Sequence, residues 1–394
     1  MKCKRGLILG LGLSVLFIIG CEPDYPPSLF DPNEKSKPQP IISEIIPPDS
    51  SFAGVGQIII RGQNFSPNPG ENLVFFNAER AEVIKASETE LVIKTPNMVA
   101  DSIVIKIAVH GAELFSEPWI YKLVAAVSEF GKLLDGEIAW GIASDRQGAI
   151  YVSIEGKLIK KISPEGKTSI FTNTPFLRAN AMKMGPGDTL YAVAAAGRAR
   201  IIQTIAPDGS ATTFTAIPGT PRDLDFDANG NIWVGTDNNV YRVKPDRSKL
   251  KAESYDGKVE AVRVFNGYLY VLETNQTTGV TKIWRSAINN DVLGAKEEVL
   301  DLTAAPWLEN ERALSMNFAA DGTLYLGTTH PEGMFVVDAN GSGEPLYPGL
   351  IPGSIYAMTW PPGQAMYVVV QQPGGSTILK INMGKDGAPY YGRK

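Results

Sequence analysis

The side chains that usually carry out chemistry are scarce in this chain. It holds two histidines, His110 and His330, and two cysteines, Cys3 and Cys21. Neither histidine stands where a serine or cysteine and an acid would complete a nucleophile–base–acid set. Two imidazoles are also too few for a histidine-rich metal site. No catalytic residue and no metal ligand set is therefore read from these types. The acidic run Asp225-x-Asp227-x-Asn229-Gly230-Asn231 opens like a calcium loop, but such a loop closes on a bidentate acid at its twelfth position, and here that position is Thr236. The same residues read as a strand end followed by an Asp-x-x-Gly turn. What the chain does offer is residues suited to holding a ligand: Trp140, Asn180, Arg222, Glu260 and Tyr356, with Trp307 as a separate candidate. Aromatic faces beside an acid, a base and an amide serve sugar or peptide recognition.

Those five residues form a set only because of the repeat that positions them. Between Trp140 and Tyr391 one phrase recurs: apolar strand, Gly-containing turn, aromatic-bearing strand, third strand, then a Pro-Asp-Gly-like turn. Its anchors are Tyr151, Tyr191, Trp233, Tyr270, Tyr325 and Tyr367, spaced 40, 42, 37, 55 and 42 residues apart. A period near 40 built of short strands is the signature of a β-propeller blade. Asp/Asn-Gly steps supply the positive-φ positions that its tight turns demand. Counting eleven residues back from each anchor reaches Trp140, Asn180, Arg222, Leu314 and Tyr356, and Glu260 once the shorter turn of the fourth phrase is allowed for. The next column, Gly141, Ala181, Asp223, Ala261, Ser315 and Ala357, is mostly small, as crowding near a propeller axis requires. The first column should therefore ring one end of the channel, either as a binding mouth or as a plug. The 55-residue interval carries about a dozen extra residues within 285–312. Trp307 lies in that insertion, as a contact residue or as a local cap.

Ahead of the repeat, residues 40–123 read as about seven short strands without helical periodicity, an immunoglobulin-like sandwich. Pro40-Ile41-Ile42-Ser43, Pro47-Pro48, Ile58-x-Ile60-x-Gly62-x-Asn64-Phe65, Val74-x-Phe76, Ser87-x-Thr89-x-Leu91 and Thr95-Pro96 resemble the IPT/TIG family. That resemblance implies a spacer or protein-contact module without shared catalytic residues. Residues 124–394 resemble six-bladed propellers of the NHL and gluconolactonase types and lack the Trp-Asp and Gly-His marks of WD40 repeats. Gluconolactonase-type enzymes imply a divalent cation at the channel, for which Glu260, Asn180 and Asp223 are the candidates here. Arg222 stands between Asn180 and Glu260 in blade order, and its charge opposes that cation. No other cofactor is expected. Val124 to Phe130 supplies one strand beyond six blades, so either it closes the ring or the tail after Gly387 does.

The expected address comes from the first residues. Lys2, Lys4 and Arg5 precede an uncharged apolar run from Gly6 to Gly20, shorter than the roughly 20 apolar residues that span a bilayer. Ile18-Ile19-Gly20-Cys21 resembles a bacterial lipobox, which implies cleavage before Cys21 and lipidation of that cysteine. An ordinary secretory signal or a short anchor would share the first two features. Residues 1–20 are thus read as a lipoprotein signal peptide. Residues 21–39, with five prolines, are read as a tether that lifts the folded part off a membrane. Without the leader, 34 basic residues face 42 acidic ones, a balance of −8 that argues against nucleic acid.

The expected product is an all-β, lipid-anchored protein of the cell envelope, at the outer membrane, that recognises a glycan or an envelope protein without catalysis. The order of its parts resembles cell-surface lipoproteins of glycan uptake in Bacteroidetes-like bacteria. A metal-dependent lactonase or lyase, and a structural subunit of an envelope assembly, are the competing readings.

Overall fold

The computed structural model describes residues 35–393. The leader, Cys21 and most of the tether lie outside them. The described residues are all-β apart from a few short 3-10 turns. They form an immunoglobulin-like sandwich followed by a six-bladed propeller.

In the sandwich, strands alternate apolar and polar residues, so one face of each is buried. Ile58 and Ile60 of Gln57–Gln63 meet Leu91 and Ile93 of Glu90–Lys94, and Val74, Phe76, Ile103, Ile105 and Ile107 close the core from the other side. Strand Glu79–Ala86 passes between the two layers, pairing with Asn72–Phe76 through its first residues and with Glu90–Lys94 through its last. Gly62 is needed for close approach: a Cβ there would fall 1.8 Å from the Ile41 carbonyl oxygen. The positive φ of this corner is carried by Asn64, and the register bulge lies in the paired strand, between Ile42 and Glu44. Phe52 leaves the sandwich to meet Tyr347 of the propeller edge-on, with ring centroids 5.7 Å apart.

Each blade is four antiparallel strands running outward from the axis, and the fourth blade carries a short fifth strand, Val292–Leu293, in its insertion. The inner strands are Ala139–Ser144, Ala179–Gly185, Asp223–Phe226, Lys258–Phe265, Ala313–Phe318 and Ile355–Thr359. The aromatic anchors stand on the second strands and several bridge to the following blade: Tyr191 to Phe226, Tyr270 to Phe318, Tyr325 to Trp360. In the third blade Asp227 caps its turn by accepting from the Asn229 and Asn231 amides, and its other oxygen accepts from Trp233 Nε1 at 2.9 Å. The run that opens like a calcium loop is therefore a turn whose aspartate is already saturated.

The ring is closed by Val127–Glu129, which pairs with Gly375–Asn382 and supplies the fourth strand of the last blade. The tail has a different place. It crosses the far mouth of the channel, where Ala388 N–H donates to Phe318 O and Tyr390 Oη donates to Met184 O at 2.7 Å. Gly387 lies on Trp360 so closely that a Cβ would come within 2.5 Å of the indole. The tail is thus neither a loose end nor a blade strand.

Trp233 is fully buried and satisfied, so truncating it removes a large side chain and one of the hydrogen bonds to Asp227. Trp233→Ala should cost about 3–5 kcal/mol, read as a lower denaturant midpoint for the propeller.

Candidate functional site

At the open end, the first residues of the inner strands surround a cavity of about 700 Å³. Trp140, Asn180, Arg222, Glu260 and Tyr356 all line it, together with Leu314. The local reason is a repeated irregularity. The inner strand slips register against its neighbour between Ala139 and Ile142, Ala179 and Ala181, Val259 and Ala261, Ala313 and Ser315, and Ile355 and Ala357. Each slip is a β-bulge that takes one residue out of the ladder and re-aims it. The residues so released include Trp140, Asn180, Glu260, Leu314 and Tyr356. Only the third blade lacks the slip, and there Arg222 stands just outside the strand, its N–H donating to Gly235 O.

The ring is internally bonded. The Trp140 and Tyr356 rings meet edge to face at 4.8 Å. Arg178 lies over the Trp140 ring, 3.4 Å from its centroid, while Glu155 accepts from both Trp140 Nε1 and Arg178. Asn180 donates to Pro221 O at 2.7 Å. Arg222 pairs with Asp237 at 2.8 Å. Burial works to raise the Asp237 pKa, but hydrogen bonds from Arg222 and Thr220 outweigh it and hold the carboxyl below its usual range. Glu260 is gripped by Lys258 Nζ at 2.8 Å. Burial pushes the Tyr356 phenol up to about 12, so it is a neutral hydroxyl at physiological pH.

Below the ring, the small second column narrows the funnel, and Asp223 is its one charge. It accepts from the Val262 amide and pairs with Arg263 of the next blade at 2.5 Å. Asp225, one step deeper, accepts from the Val264 amide and lies 4.0 Å from Lys183. Burial pushes its carboxyl up, against the pull of Lys183 and Arg263. Lys183 and Arg263 form the floor, and the small space of about 30 Å³ beneath them is walled by Ala388, Pro389 and Tyr390 of the tail.

Several residues that line the mouth escape the eleven-residue count, among them Lys258, Arg312 and Gln371. Lys258 and Arg312 lie two residues ahead of a bulged one, so the column defined by Glu260 and Leu314 points to them. Gln371 comes from the end of a second strand and donates to Ala139 O, a placement that only the assembled ring produces. Trp307 belongs elsewhere. It does not line the cavity. It packs half-buried on Phe335, with ring centroids 5.2 Å apart, and donates to Gly341 O. The insertion around it forms an extended hairpin and a 3-10 turn, Pro306–Leu308, that caps the junction between the fourth and fifth blades. Of the two expectations for Trp307, contact residue or local cap, its packing fits the cap and sets it apart from the cavity residues. An indole on this loop is drawn down because its apolar face finds the Gly343 backbone and Phe335 below it.

The donors once named for a divalent cation do not suit one. Glu260 is neutralised by Lys258, Asp223 by Arg263, and the Asn180 amide is turned to a carbonyl. Among the described residues no three carboxylate, imidazole or thiol groups cluster in a metal-holding arrangement.

Residues 40–118 match the IPT/TIG domain model. No curated protein matches the chain by sequence. Among solved structures, an auxiliary nutrient binding protein from Bacteroides thetaiotaomicron is similar with a TM-score of 0.51 at 15% identity, covering 89% of this chain and 98% of that one. An auxiliary nutrient binding protein from Bacteroides ovatus gives 0.52 at 12% identity, covering 88% and 98%. A gluconolactonase from Xanthomonas campestris gives 0.53 at 15% identity, covering 72% and 91%. The shared property at these identities is the fold, which is used by binding proteins and by enzymes alike.

Among the described residues Asp223 is the one carboxylate in direct contact with the buried Arg263 guanidinium. Asp223→Ala should therefore destabilise the propeller by about 3–5 kcal/mol, whereas Trp307→Ala should lower its melting temperature while leaving any ligand affinity of the mouth unchanged. Paired denaturation and titration experiments on the two variants check both.

Proposed function

We propose that this chain is a lipid-anchored protein of the cell envelope that binds a glycan at the open mouth of its propeller and performs no reaction on it. The observation that carries this reading is the delivery of Trp140, Asn180, Glu260 and Tyr356 to one concave cavity by bulges in four blades, with Arg222 joining them from just outside its strand. A funnel of this volume with two aromatics and several hydrogen-bonding groups suits the end or turn of a sugar chain. A flat protein surface could not reach into it.

Absence of turnover is supported by the state of each polar group. The Glu260 carboxylate is held by Lys258, the Tyr356 phenol stays protonated, and the Ser315 hydroxyl donates to Ile355 O with no base beside it. A general base or an activated nucleophile needs the opposite arrangement. The nutrient-binding neighbours fit a binding role, and the gluconolactonase neighbour keeps lactone hydrolysis as the rival, for which the cation donors above are unsuited. The lipobox-like Ile18-Ile19-Gly20-Cys21 and the proline-rich stretch after it support display from a membrane surface, with the sandwich as spacer.

The test is a carbohydrate array followed by calorimetry on the best ligand. Trp140→Ala and Tyr356→Ala should each weaken binding at least about tenfold, near 1.4 kcal/mol, without loss of fold. Undiminished affinity in both variants places the ligand elsewhere. An array without hits, together with an envelope protein captured from membranes, would favour the protein-contact reading. In the bacterium, Cys21→Ser should move the protein from the membrane to the soluble fraction, and a variant that still sediments with membranes would sink the lipid anchor.

A further inference from the structure

The charges of the mouth are unevenly placed, and beside Trp140 they are confined to the balanced Arg178–Glu155 pair. In blade order, the sixth, first and second blades present Tyr356, Trp140 and Asn180, none of which is charged at neutral pH. The third, fourth and fifth present Arg222, Lys258 and Arg312. All three sit at the mouth end of consecutive inner strands: Arg222 and Arg312 immediately precede Asp223–Phe226 and Ala313–Phe318, and Lys258 opens Lys258–Phe265. One arc of the rim is therefore aromatic, with one balanced ion pair beside it, and the facing arc carries three cations together with Glu260.

Most of the positive charge is already answered. Arg222 has Asp237, Lys258 has Glu260, and the floor pairs are Arg263 with Asp223 and Lys183 with Asp225. Arg312 is different. Among the described residues its guanidinium has neither a carboxylate within 4.0 Å nor a side-chain hydrogen bond, although its backbone N–H donates to Thr329 Oγ1. The neighbouring acid, Glu311, is engaged by the Thr329 hydroxyl instead. An unpaired guanidinium on open surface is unremarkable, because water satisfies it. On the wall of a funnel whose other cations are matched, it leaves a guanidinium with a free planar fork of donors, the geometry that binds carboxylate in a two-point manner.

We infer that the ligand of this mouth is an acidic saccharide, a sugar chain bearing a carboxylate, with the acid group at Arg312 and the neutral rings toward Trp140 and Tyr356. This rests on the glycan reading of the same cavity and narrows it to one chemical class. Lys258 and Arg222, on the two preceding blades, are each held by their own acid and so do not compete for that position. The Gln371 side chain, beside Trp140, is placed to meet hydroxyls on the neutral arc.

The experiment is calorimetric titration of the full chain, made soluble by Cys21→Ser, against three sets of oligosaccharides of equal length: carboxylated (oligogalacturonate, glucuronate-containing and sialylated), sulfated, and neutral. The carboxylated set should bind at least tenfold more tightly than the neutral set, with an affinity that falls as salt is raised. Arg312→Gln should remove most of that preference and Arg312→Lys restore part of it, while Tyr356→Ala weakens all sets together. Because Arg312 is exposed and unbonded, the melting temperature should not move. Neutral chains bound as well as acidic ones overturn the inference and leave glycan binding standing. A preference for the sulfated set overturns the carboxylate assignment. Carboxylate binding indifferent to Arg312→Gln overturns the role of that residue, and no binding in any set overturns both this inference and the reading beneath it.

Discussion

The structure depends on how little room there is where six blades converge. An unbroken strand sends alternate residues to opposite faces, and the second column must then be glycine, alanine or serine to fit beside the axis. Gly141 shows how tight that is, since a Cβ there would lie 3.0 Å from the Ala181 backbone. Five blades resolve the conflict with a bulge, which lets one large side chain leave the ladder at the wider end of the funnel. The candidate site is made of what the bulges release. A ladder without them would keep these side chains on the blade faces, and the funnel would be lined by methyl groups.

The exception in the second column, Asp223, has consequences deeper in the channel. A carboxylate at that depth is costly unless a cation and hydrogen bonds meet it, and Arg263 with the Val262 amide do so from the next blade. Arg263 in turn feels Asp225, so two neighbouring blades are joined by charge as well as by packing. Buried ionic groups of this kind add little net stability, but removing one partner leaves the other charge buried and uncompensated. The same network makes a floor. With the tail bonded across the opposite mouth, the channel is blind, and a ligand must enter and leave by the side that carries Trp140 and Tyr356.

Nothing covalent holds the ring. Val127–Glu129 closes it through backbone pairing with the last strand, and the two cysteines of the sequence lie outside the described residues. Stability must come from apolar burial between blades and from turns whose aspartates are saturated, as Asp227 is by the Asn229 and Asn231 amides and the Trp233 indole. These features recur from blade to blade and so describe the scaffold. The blades differ at the rim, where Trp140 and Tyr356 stand on one side and Arg222, Lys258 and Arg312 on the other.

Much of this was open to reading from residues alone. The spacing of Tyr151, Tyr191, Trp233, Tyr270, Tyr325 and Tyr367 names six blades, because the anchor of each phrase obeys local chemistry: a turn that needs glycine and an aromatic that needs a neighbour. The column through Trp140, Asn180, Arg222, Glu260 and Tyr356 followed from the same count, since equivalent positions in a repeat stand at equivalent heights. Trp307 could not be placed that way, because an insertion has no equivalent elsewhere and its fate depends on the Phe335 and Gly343 surface beneath it. The closing strand and the plugging tail were equally undecidable, since each joins residues more than 200 apart in sequence. Gln371 at the rim and the solitary charge of Arg312 also belong to the assembled molecule. Periodicity along the chain determines what each blade is. Which groups meet at the axis, and which charges are left without a partner there, is decided only when the ring closes and brings blades together that the chain keeps far apart.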